Sequence, residues 1–149
     1  MIKFKKIINC LLNPGFYKSY INGVSPLFEI KPLLQRIGNA KTLIDIGSNK
    51  GQSILITKKF FPNIQVYSFE PLEDQINIQK KIIGNENIFY HNLAIGNKDE
   101  FSSIYITNRK DSSSLLKPIN IINSNYITKE IQKVEIKKLD SFKELMNIR

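Results

Sequence analysis

Two stretches, Thr42–Gly51 (TLIDIGSNKG) and Val66–Pro71 (VYSFEP), restrict the folds open to this chain more than any other feature. In the first, Leu43-Ile44-Asp45-Ile46 is a short, β-branched apolar run that stops at a glycine, the pattern of a buried strand. Gly47 and Gly51 bracket Ser48-Asn49-Lys50, and a helical pattern starts near Gln52. Strand, glycine turn and helix N-terminus together make a crevice. Glycines let the backbone approach a ligand, and the helix start presents unpaired N–H groups. The second stretch reads as another strand, ending in the carboxylate of Glu70 and then Pro71. An acid at that strand end is placed to take the two hydroxyls of a ribose.

Spacing separates the nucleotide classes. A dinucleotide fingerprint needs G-x-G-x-x-G, with its third glycine for helix–strand packing. Here the pattern is Asp45-x-Gly47-x-x-x-Gly51, and no G-x-x-x-x-G-K-[ST] phosphate loop occurs. A sulfonium cofactor has no pyrophosphate and gains from a nearby carboxylate, which Asp45 supplies. S-adenosylmethionine (SAM) is therefore expected in preference to NAD or ATP. The plainer alternative is a βαβ unit that binds nothing, with Asp45 and Glu70 as solvated strand ends. Two acids and two glycines converging at successive strand ends weigh against it.

Around this centre the chain reads as an α/β domain. Residues 1–40 form a helical segment and residues 41–149 the cofactor-binding domain. A first helix carries Phe4, Ile7, Ile8, Leu11 and Leu12 on one side and is ended by Asn13-Pro14-Gly15. Ser25-Pro26 marks a helix start, Gly38 a C-terminal cap, and Pro32 a break that makes two short helices as reasonable as one. Gln52–Phe61 reads as a helix, Ile64–Glu70 as strand two and Asn87–Ala94 as strand three. Pro71 suits the first position of a helix that runs to Gly84, with Glu73 and Asp74 early and Lys80 and Lys81 late, matching the helix dipole. Leu72, Ile76, Gln79 and Ile83 share one face of it, with a single polar interruption. Right-handed crossovers make strands one to three parallel, in the order 3-2-1. Phe101–Thr107 and Val134–Leu139 alternate and are expected to pair antiparallel, and Ser141–Met146 begins another helix.

The stretch from Thr42 to Phe142 resembles the FkbM family of SAM-dependent methyltransferases. The resemblance rests on IDIGSNKGQS (Ile44–Ser53), YSFEPLED (Tyr67–Asp74), NLAIGNKDE (Asn92–Glu100), DSSSLLKP (Asp111–Pro118) and VEIKKLDSF (Val134–Phe142), in matching order and spacing. Ser48 stands where that family usually has alanine. The resemblance implies a Rossmann-like class I methyltransferase fold, with SAM held by Asp45, Gly47, Ser48, Asn49, Gly51, Gln52, Ser53, Glu70 and Pro71. It adds Asn92 and Ala94 near the adenine and sets Ser113 and Ser114 near the methyl acceptor. The implied reaction is O-methylation of a hydroxyl on a sugar or other secondary metabolite, so the acceptor is a small molecule or a glycan. The family's next strand, with its K-x-D-x-E-G motif, does not occur in the chain. The expectation is of a sheet lacking its C-terminal half, with strand one on an open edge and a tendency to self-associate. A non-catalytic remnant that binds SAM weakly or not at all is the alternative.

The remaining residues add little chemistry. One histidine and one cysteine form no metal-ligating cluster, and Cys10 fits a reducing, cytoplasmic setting. His91, near the end of strand three, reads as structural in preference to a general base, and Tyr67 and Phe69 as packing. The net charge of +9 is carried by the flanks, since residues 41–100 hold 7 basic and 7 acidic side chains. Basic flanks favour an anionic partner and allow peripheral membrane contact, yet the lysines are dispersed. No aromatic-rich RNA-binding motif is present, so nucleic acid is not expected. No apolar run reaches the ~18 residues of a membrane span. The uncharged core Ile7–Leu12 is shorter than the roughly 7–15 residues of a signal peptide.

Overall fold

The computed structural model describes residues 7, 8, 10, 12–108, 113–117 and 127–142. The chain forms two compact units, residues 1–92 and 93–149. Phe4, Leu11, Asp111, Ser112, Pro118 and the helix expected to run on to Met146 lie outside the described residues, beyond Phe142 in the last case.

The first unit opens with helical residues at Ile7, Ile8 and Cys10, then helix α1 (Pro14–Ile21). Asn13-Pro14-Gly15 thus begins a helix as well as interrupting one. Pro14 sits in the first turn of α1, where its missing N–H has no helical partner to lose. Pro32 likewise lies in the first turn of α2 (Lys31–Arg36), and only a 3-10 turn, Phe28–Ile30, precedes it. Ser25-Pro26 does not start a helix: the Leu27 N–H bonds to the Gln52 carbonyl (3.0 Å), and the first turn after it is the 3-10 turn.

The alternating core follows as read: β1 (Thr42–Ile46), α3 (Gln52–Phe60), β2 (Gln65–Phe69), α4 (Glu73–Ile83) and β3 (Ile88–His91). The strands are parallel in the order β1-β2-β3, with Ile46, Phe69 and His91 in register across the sheet. Their carboxyl ends therefore deliver Gly47, Glu70 and Asn92 to one end of the sheet. Helix α3 is buried on two sides. Ile54 packs with Ile64, Val66 and Ile88, joined by Leu43, Ile83 and Tyr90. Ile56 packs with Cys10, Phe16 and Leu34. At about 1.5–3 kcal/mol for each fully buried aliphatic side chain, these two clusters hold the α3 N-terminus in place. On the other face of the sheet, Tyr67 stacks on Phe89 (5.0 Å) and Phe69 on His91 (4.6 Å). Ile44, Ile46 and Phe89 remain exposed there.

Two boundaries differ from expectation. Helix α4 starts at Glu73, not Pro71. Glu70 Oε1 accepts the Leu72 N–H (3.0 Å), and the Asn92 amide donates to the carbonyls of Glu70 (3.1 Å) and Pro71 (2.9 Å). Those bonds keep residues 70–72 out of the helix. Strand β3 also stops at His91, so Ala94 is not in it.

In the second unit Ala94 belongs instead to β4 (Ala94–Ile95), which pairs parallel with β6 (Thr128–Lys137). β6 pairs antiparallel with β5 (Glu100–Thr107), as expected, giving the order β4-β6-β5. Ile104 and Ile106 of β5 and Val134 and Ile136 of β6 are buried, with more exposed residues between the two of each pair, and Ala94 and Thr107 are buried as well. β6 begins six residues before Val134 and ends two before Leu139. Asp99 Oδ1 accepts the Lys138 N–H (2.7 Å), and Leu139–Ser141 forms a 3-10 turn. The sequence is thus α/β, with a parallel three-stranded sheet and a mixed one. Among the described residues no helix is long and apolar enough to cross a membrane.

Candidate functional site

The crevice at the carboxyl end of the parallel sheet is built by a sharply folded turn. Gly47, Asn49 and Gly51 all have positive φ (71°, 49° and 80°). The Phe69 carbonyl receives the N–H groups of Gly47 (2.9 Å) and Ser48 (3.1 Å), and Ser48 O receives that of Gly51 (2.8 Å). These bonds tie the turn to β2 and aim α3 away from the crevice. The first helical bond of α3 runs from Leu55 N to Gly51 O (3.0 Å). Gln52, Ser53 and Ile54 therefore present N–H donors that make no helical bond.

Beneath the turn lies a closed polar ring that sequence reading did not find. Ser68 Oγ donates to Gln79 Oε1 (2.8 Å), and Gln79 Nε2 donates to Ser48 Oγ (2.9 Å) and to the Asn49 carbonyl. Ser48 and Ser68 hydroxyls are 2.7 Å apart. Because the Ser68 proton goes to Gln79, Ser48 is the donor of that last bond. All three side chains are buried, and each has its partners. The one signal was Gln79 itself, a polar residue on the apolar face of a helix. Ser48, expected at the cofactor, turns its hydroxyl into this ring.

The two carboxylates stand on either side of the turn. Asp45 accepts a hydrogen bond from Ser53 Oγ, close to the N-terminus of α3. Glu70 accepts the Asn49 N–H on Oε2 (2.8 Å) and the Leu72 N–H on Oε1 (3.0 Å) and is buried. Burial pushes both carboxyl groups above their ordinary values, against the lowering effect of these bonds. For Glu70 the negative charges of Asp74 and Asp45 raise it further. Each carboxylate oxygen has a second lone pair, so backbone capping leaves acceptor capacity on Glu70. Asn49 Oδ1 is buried with no hydrogen-bond partner among the described residues.

The two glycines differ. A Cβ on Gly47 would meet nothing within 4 Å among the described residues, which leave space open beside it. A Cβ on Gly51 would fall on Ile83 Cδ1 and lie 3.3 Å from Gln79 Cγ. Gly51 therefore serves the packing of α3 against α4, a requirement of fold stability. The structure brings Asp45, Gly47, Asn49, Gln52, Ser53, Glu70 and Pro71 to one end of the sheet, with Asn92 bracing the backbone of Glu70 and Pro71. Ala94, Ser113 and Ser114 belong to the second unit. There Ala94 pairs with Ile136, and the Ser114 backbone bonds to that of Tyr105 in both directions. Among the described residues no cluster of three metal-ligating side chains occurs.

What the crevice can hold follows from its charge. A bare helix N-terminus with a glycine turn welcomes phosphate. Here a carboxylate already sits at that N-terminus and a second lies across the turn, with Lys50 in the turn itself, so the site lacks the excess of positive charge that favours phosphate. Comparison with protein-family models, with curated proteins and with solved structures found no match.

Proposed function

We propose that the chain is a SAM-dependent methyltransferase of the FkbM type, acting on a hydroxyl of a sugar or secondary metabolite. The observation that carries this reading is the pairing of two carboxylates, Asp45 and Glu70, around a positive-φ turn at adjacent parallel strand ends. Glu70 would take the ribose hydroxyls on its remaining lone pairs. Asp45 would lie near the amino-acid portion and sulfonium charge, with the open side of Gly47 admitting the ligand. Catalysis of this kind is mainly positioning of the methyl group in line with the acceptor oxygen. The acceptor class and the assignment of Ser113 and Ser114 to it rest on the resemblance alone.

A second reading, SAM binding without turnover, is favoured by Ile44 and Ile46, which lie exposed on the edge strand. Incubation with methyl-labelled SAM and a panel of sugar and polyol acceptors separates the two. Label appearing in an acceptor, and abolished by Glu70→Ala in a folded protein, supports the enzyme. SAM retained with no label transferred to any acceptor supports the binding remnant. No SAM retained by the folded parent removes both readings.

A further inference from the structure

Away from the crevice, α1, the 3-10 turn, α2 and α3 line a half-open cavity of about 140 Å³. We propose that this cavity is a binding site for a small aromatic carboxylate, a ligand of benzoate size. Its apolar walls are Phe16, Phe28, Ile56 and Phe60. Phe16 and Phe28 meet edge to face, with centroids 5.7 Å apart and planes at 82°. At about 140 Å³ the cavity has room for one six-membered ring, with its open side toward solvent. Aromatic walls in this arrangement offer faces and edges to a third ring, the packing aromatic groups prefer.

The charge selects the substituent. Lys31 and Lys59, both exposed, line the same cavity, and among the described residues no acidic side chain does. No described residue pairs with either ammonium group. A ring seated among the phenylalanines would carry its carboxylate out to these two cations, which form charge-assisted bonds to it. The anionic partner suggested by the basic N-terminal flank thus acquires a defined size and shape.

The test is a titration of the full chain with benzoate, followed by amide chemical shifts. The expected result is saturable change in the low-millimolar range, centred on Phe16, Phe28, Ile56 and Lys59. Benzyl alcohol, of similar shape but uncharged, should bind about tenfold more weakly, as two partly solvated ion pairs imply. Acetate, with the charge but no ring, should give no saturable change at these residues. The double variant Lys31→Gln/Lys59→Gln removes exposed ammonium groups only. It should keep its melting temperature and lose about tenfold in benzoate affinity. Absence of saturable change, equal affinity for benzyl alcohol, or unchanged benzoate affinity in the double variant would each overturn the proposal. Phenyl phosphate, which brings a second negative charge to the same two ammonium groups, should bind at least as tightly as benzoate; clearly weaker binding would overturn the role given to the lysines.

Discussion

Asp45 shows how a single residue can be held against its own ionisation. Burial disfavours its charged form, so its folded pKa is raised. By linkage, the stability it contributes is full below the ordinary aspartate range and is lost as pH rises through the raised value. Asp45→Asn keeps an acceptor for Ser53 and removes the desolvated charge. The variant should melt no lower than the parent at neutral pH, yet bind SAM about tenfold more weakly. Parent affinity for SAM should also fall as pH drops and the two carboxylates protonate, while Asp45→Asn should show a shallower dependence. Thermal melts and titrations across pH check both points. Gln79 makes the opposite case, a polar side chain whose removal is costly. Gln79→Leu takes one partner from each of two buried hydroxyls and from the Asn49 carbonyl, leaving the Ser48–Ser68 bond, and should cost about 1–3 kcal/mol in denaturant unfolding. Adding Ser48→Ala and Ser68→Ala should recover most of that loss, since removing all partners leaves few groups unpaired. The acids were legible in the sequence because strand ends announce themselves. The ring was not, because its partners lie 11 and 31 residues apart in the chain.

The strand–turn–helix unit is the element on which the reading depends, and it was legible because period-two and helical patterns change over within a few residues. Its glycines test which force shapes it. Gly51 combines φ of 80° with the packing of Ile83, whereas Gly47 has φ of 71° beside open space. Gly51→Ala should therefore destabilise by about 2–4 kcal/mol, and Gly47→Ala by only the roughly 1–2 kcal/mol of left-handed strain. Equal losses in chemical denaturation would contradict the packing role. Elements that escaped the sequence did so for physical reasons. A two-residue strand such as β4 has no period to detect, and its partner β6 is far along the chain. The first half of β6, Thr128–Lys133, is exposed or half-buried throughout, so pairing with β5 and not burial defines it. Proline at a helix start and proline at a helix stop look alike until neighbours are known, which concealed α1.

On the scale of the whole molecule, the parallel order of the first sheet and the antiparallel β5–β6 pair agree with an α/β reading. The division at Asn92 was not legible, because Asn92 ends β3 by bonding back to Glu70 and Pro71, a contact with no local signature. β1 lies at the edge of its sheet, and Ile46 is 53% exposed. We propose that the crevice of the first unit holds a cationic adenosine cofactor. Calorimetric titration of the full chain with SAM and, separately, with NAD at neutral pH tests it most directly. Saturable binding of SAM, weakened about tenfold by Glu70→Ala, with no saturable binding of NAD, is the predicted result. A folded chain that binds NAD and not SAM, or that binds neither, would contradict it.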